Sequence, residues 1–303
     1  MSRTFKKITV LQGGPSTERE VSLRSGAAVA KALTESGYEV TSVTVEGETV
    51  EIPAGTELVF VCLHGTFGED GKLQRILSKL GIPYTGSNET ASRDAFDKVV
   101  TKSIFIENGL PTPQSQLISS VEDLTLELPV AVKPPCQGSS VGVTLVHNAE
   151  QLKTALNEAL RYGDRALVEK LIVGKELTVG ILDGKALPVI EIRIKAGFYD
   201  YTNKYTPGAS EHLCPAPLDP EITAIVQRVA LRAHEVLGCG IYSRVDVMLA
   251  EDGQPYLLEV NTVPGMTATS LVPDAAKVAG YTMPQLCALI AEKTYAAFQN
   301  SKP

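Results

Sequence analysis

Between Ile241 and Asn261 the chain can be little other than a β-hairpin. Two alternating segments flank Asp252-Gly253, a dipeptide that accepts the positive φ values of a type I′ turn. A two-residue turn centred there sets Asp246 opposite Glu259 and Arg244 opposite Asn261. The two-residue period puts Arg244 and Asp246 on one face and Val245, Val247 and Leu249 on the other. Carboxylates opposed across strands repel each other. A cation between them removes that repulsion, and hard oxygen donors suit Mg²⁺. The alternative is an exposed hairpin with solvated charges, which fits poorly with the apolar opposite face and with Arg244 beside the pair.

The first hundred residues alternate between the two periodicities. Ile8–Leu11 reads as a strand ending at Gly13-Gly14, and Thr17-x-x-Glu20 as a capping box for a helix that closes at Gly37. Val40–Val45 alternates as a strand, and Leu58–Leu63 is apolar throughout, as a strand buried on both faces would be. Leu73, Ile76, Leu77 and Leu80 form a helical stripe stopped by Gly81 and Pro83. This pattern is a parallel α/β domain whose loops 13–18 and 64–71 share the rim where such sheets bind ligands. A second unit starts near Asp97, with a helix over about 94–108, a strand at Val130–Lys133, a Gly/Ser loop at 138–142, a helix capped by Asn148 and a strand at Ala166–Lys170. From about Lys175 the pattern turns to hairpins, with turns at Asp183-Gly184 and Asp252-Gly253. A polar stretch at 196–212 is long for a connection and reads as a lid.

The net charge of −7 provides no footprint for nucleic acid, and no apolar run is long enough to span a membrane. No apolar leader precedes the first strand, and the five cysteines lack any C-x-x-C. A cytoplasmic protein with reduced thiols fits both observations.

Neither a P-loop nor a dinucleotide-binding glycine fingerprint occurs. Gly138-Ser-Ser-Val-Gly142 matches the G-x-S-x-G pattern, but a nucleophile elbow needs a helix after the serine, and Val141–Val146 is β-branched. The loop makes better sense as an anion cradle, with backbone N–H groups and the Ser139 and Ser140 hydroxyls as donors. Lys133 in its apolar strand would be expensive unpaired, and a triphosphate would satisfy it; a snorkelling lysine beside a flexible turn is the alternative. Lys98 reads as a solvated helix lysine or a second phosphate ligand. Glu169 to Ile172, with Glu176, reads as an ordinary strand end or as groups for an adenosine. Glu18 is either a plain helix-start carboxylate stabilised by the dipole or a functional group, and His64, between a buried strand and Gly65, lies on the ligand rim.

Taken in order, several segments resemble the ATP-grasp enzymes and, within them, the D-alanine–D-alanine ligase family. They are Gly13-Gly-x-Ser-x-Glu-Arg-Glu-Val-Ser22, His64-Gly-x-x-Gly-Glu-Asp-Gly71, Pro83-Tyr-Thr-Gly86, Gly138–Gly142, Phe198–Tyr201, Lys204-Tyr205, Arg244-Val-Asp246, Glu259-Val-Asn261 and Pro264-Gly-Met-Thr267. The resemblance implies a three-domain α/β architecture: an N-terminal parallel α/β domain at 1–96, then two domains at 97–178 and 179–303 whose antiparallel sheets sandwich ATP. It implies that Lys98, Lys133, Ser139 and Ser140 hold the phosphates and that Glu169, Lys170, Ile172 and Glu176 hold the adenosine. Asp246, Glu259 and Asn261 would bind two Mg²⁺ ions, with Mn²⁺ as a substitute. Glu18 would take the ammonium of the first D-alanine, with His64 nearby. Arg244 and the Gly265 N–H would stabilise the tetrahedral intermediate, Lys204 and Ser270 would handle the γ-phosphate and the second carboxylate, and Tyr205 would tie the lid to Glu18 and Ser139. Cys136-Gln137 departs from the Arg-Glu common in the family, which bears on one polar contact beside the phosphate loop and not on the assignment.

The implied activity is ATP-dependent ligation of two D-alanines through D-alanyl phosphate, for peptidoglycan precursors, by a cytoplasmic homodimer with no nucleic-acid or membrane partner. The alternatives are a D-alanine–D-lactate ligase, against which Tyr205 rather than Phe speaks, another ATP-grasp carboxylate–amine ligase, and a catalytically silent ATP-binding regulator.

Overall fold

The structure is a computed structural model and describes residues 4–194 and 210–301. The N-terminal unit holds β1 (Lys7–Gly13), α1 (Arg19–Glu35), β2 (Glu39–Val45), β3 (Leu58–Val61) and α2 (Lys72–Leu80). Its sheet is parallel, in the order β2-β1-β3. All four residues of β3 are buried, as the unbroken apolar run requires. The capping box expected at Thr17 does not form. Glu18 is the N-cap of α1 and makes no side-chain cap, because its carboxylate is turned to another partner described below. Gly37, at φ 82°, lies just past the end of α1.

The helix expected over 94–108 is two helices, α3 (Glu89–Phe96) and α4 (Lys98–Glu107). Asp97 between them is extended, and its carboxylate caps α4 by accepting from the Val99 and Val100 amides at 2.9 and 3.3 Å. That break puts Lys98 in the first turn of α4.

The central sheet, ordered β4-β7-β5-β6, combines β4 (Ser115–Ile118), β5 (Val130–Lys133), β6 (Thr144–Val146) and β7 (Ala166–Lys170) and carries α5 (Ala149–Ala159). All its pairings are antiparallel. The other sheet runs β11-β10-β8-β12-β13, from β8 (Gly174–Leu182), β9 (Lys185–Ala186, paired with β8), β10 (Ile190–Ile194), β11 (Ser210–Leu213), β12 (Tyr242–Ala250) and β13 (Pro255–Asn261). Helices α6 (Pro220–Val236), α7 (Leu271–Val278) and α8 (Met283–Asn300) complete this unit. The boundary expected at 178 falls inside β8, so the break between the two sheets lies earlier, at Leu171–Val173. Apart from Ser210–His212 in β11, the expected lid lies outside the described residues. No helix among the described residues is long and apolar enough to cross a membrane.

The two Asp-Gly turns differ. Asp183 and Gly184 both have positive φ, 49° and 71°, and join Leu182 to Lys185 as a two-residue turn. In the β12–β13 turn only Gly253 has positive φ, at 84°. Ala250 N–H donates to the Gln254 carbonyl at 3.0 Å, so the loop is the three residues Glu251-Asp252-Gly253 rather than two. This shifts the register by one, and Leu249 pairs with Pro255 and Val247 with Leu257. The ladder shifts back between Val247 and Asp246, leaving Leu258 without a partner as a bulge. Asp246 thereby meets Glu259 and Arg244 meets Asn261, as expected from a different turn. The odd loop and the bulge cancel.

Candidate active site

The start of α1 is fastened to the end of β3 by serine hydroxyls. Ser22 Oγ donates to the Cys62 carbonyl and Ser16 Oγ to the His64 carbonyl, both at 2.6 Å. This fixes Glu18 beside Gly65, where a Cβ would fall 2.9 Å from Glu18 Oε2 and where φ is 69°. The buried Glu18 carboxylate accepts a hydrogen bond from Ser139 Oγ, which brings the Gly/Ser loop of the central unit onto the N-terminal domain. Ser139 and Ser140 both sit in the left-handed region, at φ 53° and 57°. That conformation costs an L-residue about 1–2 kcal/mol each and turns their backbone out of the strand geometry that follows at β6.

Lys98 is not a solvated helix lysine. It is buried, its Nζ donates to the Gln137 carbonyl at 2.6 Å and it lies 3.2 Å from Glu259 Oε2. Lys133 pairs with Glu169, and Lys102 Nζ lies 2.9 Å from the other oxygen of the same carboxylate. Burial alone would raise the Glu169 pKa; Lys133 and Lys102 outweigh it and hold the group below the usual carboxylate value. Burial pulls the Lys102 ammonium below its usual value, with Glu169 opposing. Glu169 and the exposed Lys170 end β7, Ile172 lies in the connection to β8, and Glu176 stands on β8. All four expected adenosine residues therefore lie where one antiparallel sheet hands over to the other.

On the hairpin, Arg244 grips Asp246 through two bonds, Nε to Oδ1 at 2.9 Å and Nη2 to Oδ2 at 2.7 Å. Thr178 Oγ1 on β8 donates to Asp246 Oδ1 at 2.6 Å, and Asn261 Nδ2 to Oδ2 at 3.3 Å. Each of the opposed carboxylates thus has its own cation, Arg244 for Asp246 and Lys98 for Glu259. Two carboxylates and an amide oxygen on adjacent strands fit a hard divalent ion that takes its remaining oxygens from phosphate and water. Lys98, Gln137, Gly138, Glu259 and Asn261 line one cavity, together with Glu69.

Glu69, within the His64–Gly71 segment, carries no role in the sequence reading. Its Oε2 accepts from the Gly65 amide at 2.6 Å, and burial together with the nearby Glu18 charge pushes its pKa up to about 8. Lys102 carries no role in that reading either, although it lies one helical turn beyond Lys98. Ser270 is the N-cap residue of α7; its Oγ accepts from the Thr267 amide at 3.0 Å and would be 2.9 Å from a Cβ on Gly265. Lys204 and Tyr205 lie outside the described residues.

Two antiparallel sheets meeting at a cleft that carries lysines, a Gly/Ser loop and paired carboxylates define the ATP-grasp class. Residues 98–292 match the D-ala D-ala ligase C-terminus and residues 45–87 the D-ala D-ala ligase N-terminus. The chain belongs to the D-alanine–D-alanine ligase family and is a ligase. A D-alanine–D-alanine ligase of Methylacidiphilum infernorum is 51% identical over 290 residues, covering 96% of each chain. One from Syntrophotalea carbinolica is 46% identical, covering 93% of each. Among solved structures, the D-alanine–D-alanine ligase of Bacillus anthracis complexed with ATP superposes with a TM-score of 0.87 at 33% identity, covering 98% of this chain and 100% of that one. The VanG D-Ala:D-Ser ligase of Enterococcus faecalis gives 0.85 at 28% identity, covering 95% and 99%.

Proposed function

We propose that the chain joins two D-alanines to D-alanyl-D-alanine with ATP, through a D-alanyl phosphate, supplying a peptidoglycan precursor in the cytoplasm. A carboxylate is a poor acyl donor. In the first step the carboxylate of one D-alanine attacks the γ-phosphorus of ATP, and ADP leaves. In the second the free amine of another D-alanine attacks the acyl carbon, and the tetrahedral intermediate expels inorganic phosphate. The observation that carries this reading is the Ser139–Glu18 hydrogen bond. It brings a phosphate-cradle loop against a carboxylate suited to an ammonium, so that a bound amino acid and the end of a bound triphosphate would meet there.

Each residue then has work that suits its surroundings. Glu18 pairs with the ammonium of the first D-alanine. Lys98 and Lys133, together with the Ser139 and Ser140 loop, neutralise phosphate charge, which is most of what phosphoryl transfer asks of a protein. Lys133 exchanges Glu169 for phosphate, and Lys102 stays to balance Glu169 while that carboxylate and its neighbours hold the adenosine. Arg244 and the Gly265 N–H face the charge that develops on the acyl oxygen. Asp246, Glu259 and Asn261 would hold Mg²⁺, or Mn²⁺ in its place. When bound, the metal supplies further neutralisation of the phosphate oxygens. Lys204, Ser270 and Tyr205 keep the roles the resemblance implies.

Phosphate release measured with ATP and, in turn, D-alanine, L-alanine, D-serine and D-lactate tests the reading. D-Alanine alone should support turnover as both donor and acceptor. D-Lactate outrunning D-alanine as the acceptor would replace the dipeptide reading with the depsipeptide one. A homodimer is the proposed assembly, and sedimentation at working concentration tests it.

A further inference from the structure

Ser25 lies in the middle of α1, fully buried, and takes no part in any role described so far. A serine inside a helix commonly returns its hydroxyl to the carbonyl one turn back. Here the hydroxyl points across the domain junction instead. Its Oγ lies 3.2 Å from the Met266 amide, which can only donate, and 3.1 Å from His64 Nε2. On the far side of the ring, His64 Nδ1 lies 2.9 Å from the Val263 carbonyl, which can only accept. With the ring neutral, one assignment of hydrogens satisfies all of these atoms. Met266 N–H donates to Ser25 Oγ, Ser25 O–H donates to a bare Nε2, and Nδ1–H donates to Val263 O.

The chain of bonds leaves the segment after β13 at Met266 and returns to it at Val263. It therefore pins that segment at two points, and Gly265 stands between them. We propose that Ser25 is a positioning residue: it holds His64 in the Nδ1–H form and, through the Val263–Met266 staple, aims the Gly265 N–H at the reacting acyl group. This rests on the oxyanion role proposed for Gly265. Burial holds the His64 pKa below its usual value, and Arg244 lowers it further, against the opposing Glu18 charge and the Val263 hydrogen bond; Glu69 approaches the same turn through the Gly65 amide. A second proton on Nε2 would reverse that bond, with Nε2–H donating to Ser25 Oγ and the hydroxyl proton turned to another acceptor, so the relay as assigned requires the neutral ring.

The test uses the whole enzyme labelled with ¹⁵N-histidine, with the His64 signals assigned by their loss in His64→Gln. The unmodified protein should show His64 protonated at Nδ1 and bare at Nε2 near neutral pH. In Ser25→Ala the Nε2 signal should shift as it loses its donor. That variant should lose between about tenfold and a hundredfold in kcat, the range expected when a reacting group is misaimed by an ångström or less, with KM for ATP within about twofold. Ser25→Cys, which keeps a weak donor at similar size, should recover part of the loss and keeps the test open if Ser25→Ala does not fold. His64 protonated at Nε2 in the unmodified enzyme would overturn the proposal, and so would an unchanged kcat in Ser25→Ala. Absence of D-alanine-dependent phosphate release in the unmodified enzyme is a separate failure, that of the ligase reading, and the nitrogen signals then decide the place of Ser25 by themselves.

Discussion

Glu259 shows how a single side chain can matter greatly for chemistry and little for stability. Lys98 Nζ lies 3.2 Å from its Oε2, and its side chain is 22% exposed. Replacing it by Gln loses the attraction to Lys98 but also the repulsion from Asp246 directly opposite, and the amide oxygen can still accept from the Lys98 ammonium. Glu259→Gln should therefore unfold at nearly the same denaturant concentration as the parent while turnover falls by about a hundredfold or more, because a charged metal ligand is gone. Near-normal phosphate release at ordinary Mg²⁺ would remove Glu259 from the metal set. His234 is the opposite case, chemically silent and structurally costly to charge. It is buried in α6 with Nδ1 2.7 Å from Ser243 Oγ, and burial pushes its pKa down to about 4 from an ordinary 6.5. Below pH 6.5 the unfolded chain takes up this proton and the native one does not. The stability tied to a neutral His234 is thus complete above pH 6.5 and drains away as the pH falls through 4, by about 3 kcal/mol in all. Urea unfolding at pH 7.5 and pH 4.5 should show a smaller loss for His234→Gln than for the parent; an equal loss in both would refute the assignment.

At the level of elements, the least foreseeable feature is the break at Asp97. The apolar spacing reads through it as one helix, since hydrophobic period alone carries no information about a kink. The signal was present in the residue type, because an aspartate is a good N-cap and the amides of Val99 and Val100 follow it. The break matters because it brings Lys98 to the cavity floor beside the Gln137 carbonyl. Asp97→Ala should cost about 1 kcal/mol of stability and also raise KM for ATP, since the lysine next in sequence loses its fixed origin. Denaturant titration and ATP-dependent kinetics check the two parts; a KM for ATP equal to the parent's would mean that α4 holds Lys98 without its cap. The β12–β13 turn teaches a related lesson. Asp-Gly correctly marks the turn, but loop length and a bulge at Leu258 are settled by how β12 pairs with β8 and how both strands pack against α6.

At the scale of the whole molecule the cores are unequally shared. One cluster joins Phe5, Ile8 and Phe60 of the N-terminal unit to Tyr242, Val272 and Ile290 of the C-terminal unit. Phe5 stacks on Tyr295 of α8 at a centroid distance of 4.4 Å, and Tyr38 OH donates to Glu292 at 3.0 Å. The central unit, by contrast, has a buried cluster drawn wholly from its own residues, between Ile118 and Val168. It should therefore open and close as a body against the other two. Leu156→Ala, in that cluster, should cost about 2–5 kcal/mol locally. Hydrogen exchange should then rise across 115–170 while α1 and α8 keep their protection; a rise spread evenly over the chain would show one cooperative unit instead.

The sequence alone determined what depends on local chemistry and short spacing. It settled the alternation of β1 to α2, the buried run of β3, the two Asp-Gly turns and the chemical types of the residues that line the cleft, because period, turn residues and charge act over a few positions. It could not determine which of those groups meet. Glu18 forgoes its helix cap for Ser139, Lys133 and Lys102 share Glu169, and Ser25 reaches Met266, contacts between residues more than sixty positions apart in all but the Lys133–Glu169 pair. Such contacts exist only after separate units have packed, when burial makes any unmatched charge or hydroxyl expensive and so selects the one arrangement in which each finds a partner.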